Sequence, residues 1–314
     1  MIEYTRRLIR KGTVIVNKTK IMADLPNMKL LFDEPLSNYT FTKTGGPADV
    51  LAFPKNTSEV KEMVEYCNRE AIPFMVLGNA SNLIVREKGI AGVVLMLADM
   101  AEMSIEGTEL VVEAGAKLVE TAKFAFDHTL TGLEFACGIP GSIGGAIYMN
   151  AGAYEGEVAD VVKSVDVVWE DGTFETLDNE ALNFSYRHSK LQEKSGVVIS
   201  VRFALAEGDK EVIGAHMAKL TELRESKQPL EYPSCGSVFK RPDGHYTGAL
   251  IQKAELQGLK WGGAQISTKH AGFIVNIDNA TATDYVELIK HIQKVILEKF
   301  DVVLETEVRI IGRQ

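Results

Sequence analysis

Two glycine-rich segments of this 314-residue sequence have the composition of a phosphate-binding site. The longer one has the spacing Gly138-x-x-Gly141-x-x-Gly144-Gly145, and the shorter one, residues 78–82, is a turn-forming cluster. Glycine lets backbone N–H groups approach an anion closely and adopt positive φ. The spacing differs from the GxGxxG dinucleotide fingerprint. The two segments therefore either clamp a pyrophosphate from two sides or form tight turns with a packing role only.

A serine in a proline-bounded loop is a candidate for proton transfer. Ser237 lies within residues 231–242, where the sequence does not match GxSxG, which argues against hydrolase chemistry. The same serine can be a simple turn residue. Lys227, Lys240 and Arg241 supply nearby positive charge of the kind that phosphate groups need.

Two further charged residues each allow two interpretations. Arg187, within residues 183–189, either binds a carboxylate bidentately or is a solvated surface arginine. Period-2 alternation over residues 302–312 places Glu307 on the same strand face as Arg309. Glu307 is therefore either a site residue or one half of a structural ion pair.

Hydrophobic periodicity predicts the elements that must position these residues. A helix over 56–71 precedes a buried strand at 74–77, which ends in the 78–82 turn. Further helices are predicted over 117–127 and 281–300, the second with a capping box formed by Thr281 and Asp284. Strands are predicted at 90–98, 108–114, 161–169, 197–205 and 302–312. The strands at 161–169 and 197–205 frame the loop that holds Tyr186 and Arg187.

Composition excludes several classes of protein. A formal net charge of -9 argues against a broad surface for nucleic acid or anionic membranes, and no apolar run is long enough to span a bilayer. The basic N-terminus lacks the apolar run of a secretory signal, so a frayed or helical extension is expected. Cys67, Cys137 and Cys235 form a sparse, odd set that is typical of a reducing compartment. The histidine and cysteine spacings predict no metal site.

A series of motifs resembles the UDP-N-acetylenolpyruvoylglucosamine reductase family, in family order from about residue 36 to the end of the chain. The matching segments are YTFTKTGG at 39–46, LGNASNLIV at 77–85, GLEFACGIPGSIGGA at 132–146, NAGAY at 150–154, SYR at 185–187, YPSCGS at 232–237, residues 263–272, and EVRIIG at 307–312. The short run from Tyr186 to Val201 leaves no room for a substrate-covering insertion, so the chain resembles the shorter, second type of this enzyme.

This resemblance implies an α+β fold. The expected parts are an FAD-binding domain of the vanillyl-alcohol-oxidase type, built from two subdomains, and a C-terminal α+β substrate-binding domain. The bounds implied are 1–35 for an N-terminal extension, 36–207 for the FAD-binding domain (subdomains at about 36–105 and 106–207) and 208–314 for the substrate-binding domain.

The resemblance also implies the reaction. A cytoplasmic flavoenzyme with non-covalent FAD uses NADPH to reduce the enolpyruvyl ether of a UDP-sugar, giving UDP-N-acetylmuramate for peptidoglycan synthesis. Non-covalent FAD is expected because the 77–85 loop contains no histidine. Neither nucleic acid nor membrane insertion is expected. Two rival interpretations remain open: an alcohol-oxidising flavoenzyme that shares the FAD domain, and a non-catalytic protein that binds nucleotide sugars.

Family roles transfer to individual residues of this sequence. Ser237 resembles the proton donor, and Arg187 and Glu307 resemble the pair that polarises the substrate carboxylate. Tyr186, Lys227 and Arg241 match positions linked to UDP-sugar binding. The implied FAD cradle consists of Leu77, Gly78, Asn79, Ser81, Asn82, Leu83, Gly141, Ser142, Gly144, Gly145, Asn150, Ala151, Gly152 and Ala153. Ala80 departs from the family pattern, which often has glycine at that position.

Overall fold

The computed structural model describes residues 16–154 and 156–314, which form two compact units. Unit 1 contains the described residues up to 32, together with 49–79 and 91–222. Unit 2 contains residues 33–48, 80–90 and 223–314. Each unit has a hydrophobic core of its own, so each can be described by itself.

The helices and strands of the described residues are numbered in chain order. The helices are α1 Lys18–Asp24, α2 Thr57–Arg69, α3 Leu118–Asp127, α4 Ile143–Met149, α5 Lys210–Lys227, α6 Thr247–Lys253 and α7 Ala282–Phe300. The strands are β1 Lys29–Pro35, β2 Pro47–Phe53, β3 Phe74–Leu77, β4 Leu83–Val85, β5 Ile90–Met96, β6 Met103–Glu106, β7 Glu109–Glu113, β8 Leu130–Thr131, β9 Gly152–Ala153, β10 Gly156–Glu157, β11 Val162–Trp169, β12 Phe174–Asp178, β13 Gly196–Ala204, β14 Ala206–Glu207, β15 Ser234–Ser237, β16 Lys260–Trp261, β17 Ala264–Ile266, β18 Phe273–Asn276 and β19 Arg309–Ile311.

Unit 1 is built around two sheets. One has the strand order β1-β2-β5-β3, with β3 parallel to β5, and the other has the antiparallel order β12-β11-β13-β7-β6. The predicted helix at 56–71 is confirmed as α2. Its N-cap, Asn56, accepts a hydrogen bond from the Glu59 N–H, and its buried face includes Val60 and Met63. β3 follows α2 and delivers the chain to the 78–82 turn, as predicted.

The described part of the N-terminal segment packs into unit 1. Residues 1–15 of the predicted extension lie outside the described residues. In α1, Ile21 is buried in the core, and Lys20 forms an ion pair with Glu70, the C-cap of α2. The basic composition of this segment did not predict that packing.

Unit 2 combines a sheet of order β15-β18-β17-β16, antiparallel throughout, with the parallel pair β19 and β4. The β4–β19 pairing joins residues more than two hundred positions apart, so segment 80–90 belongs to unit 2 rather than to the unit that precedes and follows it in sequence. The observed units are thus discontinuous, unlike the predicted domains at 36–207 and 208–314. Those domain bounds stay a prediction.

The predicted strand over 302–312 is wrong for its first part, because only β19 is a strand. Upstream of β19, the N–H groups of Glu307 and Val308 both donate to the Val238 carbonyl oxygen, at 2.8 and 3.2 Å. Two donors that converge on one acceptor do not form the regular ladder of a strand. The alternation of apolar residues reflects side-chain burial, and it carries no information about backbone hydrogen bonding.

Helix α7 begins at a capping box, as the sequence predicted. The Asp284 N–H donates to the Thr281 hydroxyl, and the Asp284 carboxylate accepts from the Thr281 N–H at 2.9 Å and from the Gly263 N–H at 3.3 Å. Burial by itself would raise the pKa of Asp284, but these hydrogen bonds lower it below its ordinary value. The ionised carboxylate therefore stabilises the folded state.

Replacing Asp284 by asparagine should lower the free energy of unfolding at pH 7 by about 0.5–2 kcal/mol. The loss can be measured as a lower melting temperature. Because the folded pKa is depressed, the carboxylate's contribution is complete above the unfolded pKa of about 3.9 and is lost as pH falls through the folded value. The difference in melting temperature between the wild type and the variant should become smaller as pH falls below about 4. Glu298→Gln, on the exposed surface of the same helix, is the control. A pH-independent difference would contradict this role of the charge.

The described residues contain neither a membrane span nor a metal cluster. Over 16–154 and 156–314, no helix is long and apolar enough to cross a bilayer. Within the same residues, no three histidine, cysteine, aspartate or glutamate side chains are grouped so that they could hold a metal ion. Cys67, Cys137 and Cys235 are free thiols.

Candidate active site

Within unit 1, residues 78–79 of the shorter glycine-rich segment lie against residues 140–142 of the longer one. The Asn79 side-chain amide, just after β3, donates to the Pro140 carbonyl oxygen at 2.6 Å. A Cβ atom at Gly78 would lie 2.2 Å from the Ser142 Oγ, so no side chain fits at Gly78 while Ser142 keeps its position. Residues 78–79 and 140–142 are therefore in direct contact.

Ser142 and the glycines around it have distinct local roles. The Ser142 hydroxyl caps α4 by accepting from the Gly145 N–H at 3.3 Å. Gly144 lies close to Ala114, where an added Cβ would be at 3.2 Å from the alanine Cβ. No heavy atom lies within 4 Å of a Cβ built at Gly141. The segment thus combines tightly packed glycines with one open backbone position, a cradle that suits a bound phosphate group.

The remainder of the 77–83 segment belongs to unit 2. Ala80 has φ 47°, in the left-handed region, which glycine adopts more easily than alanine. Asn82 donates from its side-chain amide to the Glu307 carbonyl oxygen at 3.2 Å, and its own carbonyl oxygen accepts from the Arg309 N–H at 3.1 Å. Leu83 begins β4. In unit 2 this segment therefore fixes the backbone on both sides of Val308.

Arg187 lies in a tight turn between β12 and β13. Ser185 and His188 exchange two backbone hydrogen bonds, at 3.1 and 3.0 Å, and Arg187 has φ 56°. Its guanidinium donates to the Gly152 carbonyl oxygen at 3.2 Å and lies 5.1 Å from the centre of the exposed Tyr186 ring. A non-glycine residue held in a left-handed conformation is a common feature of functional sites. Arg187 is thus half-buried and held by local contacts, so it is not a fully solvated surface arginine.

Asn150 ties the NAGAY segment to the Arg187 turn. This residue is fully buried and adopts φ 44° at the end of α4. Its amide nitrogen donates to the Ser185 carbonyl oxygen at 3.1 Å, and its amide oxygen accepts from the Ala159 N–H at 3.2 Å. A direct contact of this side chain with a cofactor would require it to leave both partners. Ala151, Gly152 and Ala153 follow it, and the last two residues form β9.

Ser237 and Glu307 come together in unit 2 through the backbone. Ser237 is exposed at the end of β15, after an irregular register and after Gly236, whose φ is 75°. The Glu307 N–H donates to the carbonyl oxygen of Val238, the residue after Ser237. Burial, with the nearby Glu307 carboxylate as a further cause, raises the pKa of the Cys235 thiol to about 12. Cys235 is therefore protonated and unreactive, and the exposed hydroxyl of Ser237 is the better candidate for chemistry.

The predicted substrate-binding cations lie in different local settings. Lys227 is exposed at the C-terminal end of α5. The Arg241 guanidinium stacks 3.9 Å from the centre of the Tyr246 ring and donates to the His245 carbonyl oxygen at 3.4 Å. Lys240 forms an ion pair with Glu305 at 3.2 Å. Lys240 belongs to the basic cluster that the sequence indicated, and its ion pair with Glu305 gives it a local structural role.

Gln192 is a contact of the Arg187 turn that sequence reasoning missed. Its side-chain amide donates to the Arg187 carbonyl oxygen at 2.9 Å and to the Tyr148 carbonyl oxygen at 2.8 Å. A single glutamine downstream of the turn belongs to no motif, so no sequence signal identifies it.

Comparison with protein families finds two matches along the chain. A family described as "FAD binding domain" matches residues 48–178. A second, described as "UDP-N-acetylenolpyruvoylglucosamine reductase, C-terminal domain", matches residues 228–311. The first match contains both glycine-rich segments, and the second contains Ser237 and Glu307.

Full-length relatives agree with these matches. The UDP-N-acetylenolpyruvoylglucosamine reductase of Enterococcus faecalis is 63% identical over 299 residues, covering 95% of this chain and 100% of the relative. The reductase of the same name from Listeria innocua is 54% identical over 292 residues, or 93% of this chain and 98% of the relative. Among solved structures, UDP-N-acetylenolpyruvylglucosamine reductase from Thermus caldophilus aligns with a TM-score of 0.78 at 36% identity, covering 90% of this chain and 98% of that one.

Proposed function

The chain belongs to the UDP-N-acetylenolpyruvoylglucosamine reductase family, and on that basis we propose that it reduces the enolpyruvyl group of UDP-N-acetylglucosamine enolpyruvate to give UDP-N-acetylmuramate. The observation that carries the proposal is the 63% identity that extends over the whole of a named relative. The predicted family and the predicted combination of an FAD-binding domain with a separate C-terminal domain are confirmed. We propose NADPH as the electron donor and peptidoglycan precursor synthesis in the cytoplasm as the setting.

The residues of the glycine-rich cradle fit FAD. Gly78 approaches Ser142 too closely for any side chain, and Gly141 leaves open space where a phosphate can reach the backbone. Residues 77–83 and 141–153 would hold the cofactor, without a covalent bond, since no histidine occurs in residues 77–85. When bound, FAD supplies hydride transfer from NADPH to the substrate. The protein residues supply binding, orientation and the proton.

The side chains of this chain account for the other requirements of the reaction. Saturating the enolpyruvyl double bond adds a hydride to the terminal methylene carbon and a proton to the neighbouring carbon. Negative charge that develops beside the carboxylate is stabilised by Arg187, whose planar guanidinium can bind both carboxylate oxygens. Glu307 completes the polarising pair, and Ser237 delivers the proton. Tyr186, Lys227 and Arg241 are proposed to contact the UDP-sugar.

Oxidation of an alcohol by the same FAD domain is not favoured. Such a reaction requires neither an arginine that binds a substrate carboxylate nor an acid that protonates a substrate carbon atom. The family match over 228–311 also extends the likeness beyond the FAD-binding domain into the part that contains Ser237 and Glu307.

An absorbance experiment tests the proposed function directly. The purified protein should show flavin bands, lose them when NADPH is added without oxygen, and regain them when UDP-N-acetylglucosamine enolpyruvate follows. After denaturation and centrifugation, FAD should stay in the supernatant. A protein that does not bind FAD, or reduced flavin that the UDP-sugar does not reoxidise, would overturn the proposal. Loss of the flavin bands on addition of a simple alcohol, followed by oxygen consumption, would instead support the rival activity.

Lys227→Ala should raise the KM for the UDP-sugar and leave kcat within about twofold of wild type. A lysine that contacts phosphate makes the same contact in the ground state and in the transition state, so its loss weakens binding without changing the chemical barrier. Lys219→Ala, at an exposed position of the same helix, is the matched control. A fall in kcat at unchanged KM would exclude this role for Lys227.

A further inference from the structure

The backbone around Arg187 is held in an unfavourable conformation. The turn at residues 185–188, here called the Arg187 turn, has two backbone hydrogen bonds of its own, and Arg187 is in the left-handed region at φ 56°. For a residue with a Cβ atom this conformation costs about 1–2 kcal/mol, which contacts with the surroundings can offset. The support has to come from groups that contact the turn from outside.

Gln192 contacts the turn at Arg187 itself. Its side-chain amide nitrogen lies 2.9 Å from the Arg187 carbonyl oxygen and 2.8 Å from the Tyr148 carbonyl oxygen. The buried Ser189 hydroxyl also donates to the Tyr148 oxygen, at 2.9 Å. Tyr148 belongs to α4, whose other end is capped by Ser142. Gln192 therefore connects the backbone of Arg187 to the helix that begins in the glycine-rich segment.

Asn150 contacts the same turn at its other end. Its amide nitrogen donates to the Ser185 carbonyl oxygen, which also accepts the His188 N–H. Because Asn150 is fully buried and its amide oxygen accepts from Ala159, the side chain has one orientation that satisfies both groups. Two primary-amide side chains thus donate to the first and third carbonyl oxygens of the Arg187 turn.

We propose that Asn150 and Gln192 form an amide clamp that fixes the Arg187 turn, so that the guanidinium is in place before the substrate carboxylate arrives. Gln192 is a positioning residue that acts through Arg187, and Asn150 contributes its buried side chain to the same turn while its backbone stays part of the proposed FAD cradle. The proposal rests on the carboxylate-binding role proposed for Arg187. Side chains that are held in place before binding lose less freedom when the transition state forms. The clamp therefore matters for reduction of the UDP-sugar and not for reduction of the flavin by NADPH.

Gln192→Met tests the clamp, since methionine has a similar volume but no N–H donor. In the FAD-loaded protein without substrate, amide hydrogen exchange in a peptide covering 183–190 should accelerate by roughly tenfold or more. Reoxidation of the reduced enzyme by the UDP-sugar should slow by roughly tenfold, while reduction by NADPH stays within about twofold of wild type. Gln265→Met is the matched control, since Gln265 is also half-buried and donates to a backbone carbonyl oxygen, that of Gly258. It should leave both measurements unchanged.

A double-mutant cycle separates positioning from general stability. If Gln192 acts through Arg187, Gln192→Met should slow reoxidation in the wild-type background but change it by less than about twofold in an Arg187→Ala background. The same loss in both backgrounds, equal slowing of both half-reactions, or unchanged exchange at 183–190 would each overturn the clamp. If Gln192→Met does not fold, Gln192→Glu keeps the shape and replaces the donor by a carboxylate above the glutamate pKa.

The exchange measurement keeps the clamp distinct from the proposed function. An Arg187→Ala protein that is reoxidised at the wild-type rate would count against the role of Arg187 in the reaction. Accelerated exchange at 183–190 in Gln192→Met would still show that the amide holds the turn. Unchanged exchange with a slowed Arg187→Ala variant would leave the proposed function standing and refute the clamp.

Discussion

Ser237→Ala is expected to slow reoxidation of the reduced enzyme by the UDP-sugar about 10²–10⁴-fold, equivalent to about 3–5 kcal/mol of activation free energy. Reduction of the flavin by NADPH should remain close to wild type, because that half-reaction delivers no proton to a substrate carbon. The exposed hydroxyl at the end of β15 fits an acid that must reach a ligand. Stopped-flow absorbance can follow the two half-reactions separately, with pre-reduced enzyme for the second.

Two variants sharpen the interpretation of Ser237. Ser237→Cys should retain part of the activity, since a thiol of similar size also donates a proton. Ser234→Ala, in the same strand and less exposed, controls for disruption of β15 and should leave both half-reactions near wild type. Equal slowing of both half-reactions by Ser237→Ala would indicate a general structural defect. Unimpaired reoxidation in that variant would eliminate Ser237 as the acid.

Elements with local signals could be predicted from the sequence. The α7 helix has both a capping box at Thr281 and an apolar face at helical spacing, and the structure reproduces both. The run at residues 74–77 was predicted as a strand and is β3. These successes share one physical cause, because capping and burial of one face depend on residues within a few positions of each other.

Features that depend on long-range pairing could not be predicted. β4 and β19 are too short to give a periodic signal, and their pairing assigns segment 80–90 to unit 2. The sequence also extended the last strand back to residue 302, because apolar alternation cannot distinguish a hydrogen-bonded strand from an irregular segment with alternating burial. In both cases the structure depends on backbone partners that are distant in the sequence.

The residues of the candidate site likewise fall into two groups, those that lie in sequence motifs and those that only the structure identifies. The glycine-rich segments, Ser237 and Glu307 were recognised because each lies in a motif, and the structure places Ser237 close to Glu307 through Val238. Gln192 lies outside every motif, and its importance follows only from where its amide nitrogen is in space. For Asn150, the motif indicated a cofactor-binding position, and the structure shows that its buried side-chain amide donates to the Ser185 carbonyl oxygen in the Arg187 turn.

Arg187→Ala should give the other large effect, a roughly 10²–10³-fold slower reoxidation by the UDP-sugar with little change in reduction by NADPH. The guanidinium contacts the carboxylate before hydride transfer, but the negative charge that it stabilises grows as hydride reaches the substrate, so its loss should lower kcat more than it raises KM. Arg187→Lys should recover a minor part of the rate, because lysine keeps the charge but not the planar pair of donors. The effect of Arg187→Lys on the Arg187 turn can be measured by amide hydrogen exchange in residues 183–190.

Arg202→Ala provides the matched control for Arg187→Ala. Arg202 lies in β13 of the same unit, where it forms ion pairs with Glu106 at 2.6 Å and with Glu109 at 3.0 Å. These ion pairs are partly exposed and none of the three residues is assigned to the site, so the control should lose little stability, bind FAD and turn over normally. If Arg187→Ala lost FAD or unfolded while Arg202→Ala did not, Arg187 would be a structural residue of the turn. Slow reoxidation with intact flavin bands and an unchanged melting temperature would instead identify it as the group that binds the carboxylate, since only the step that generates charge on the substrate would then depend on it.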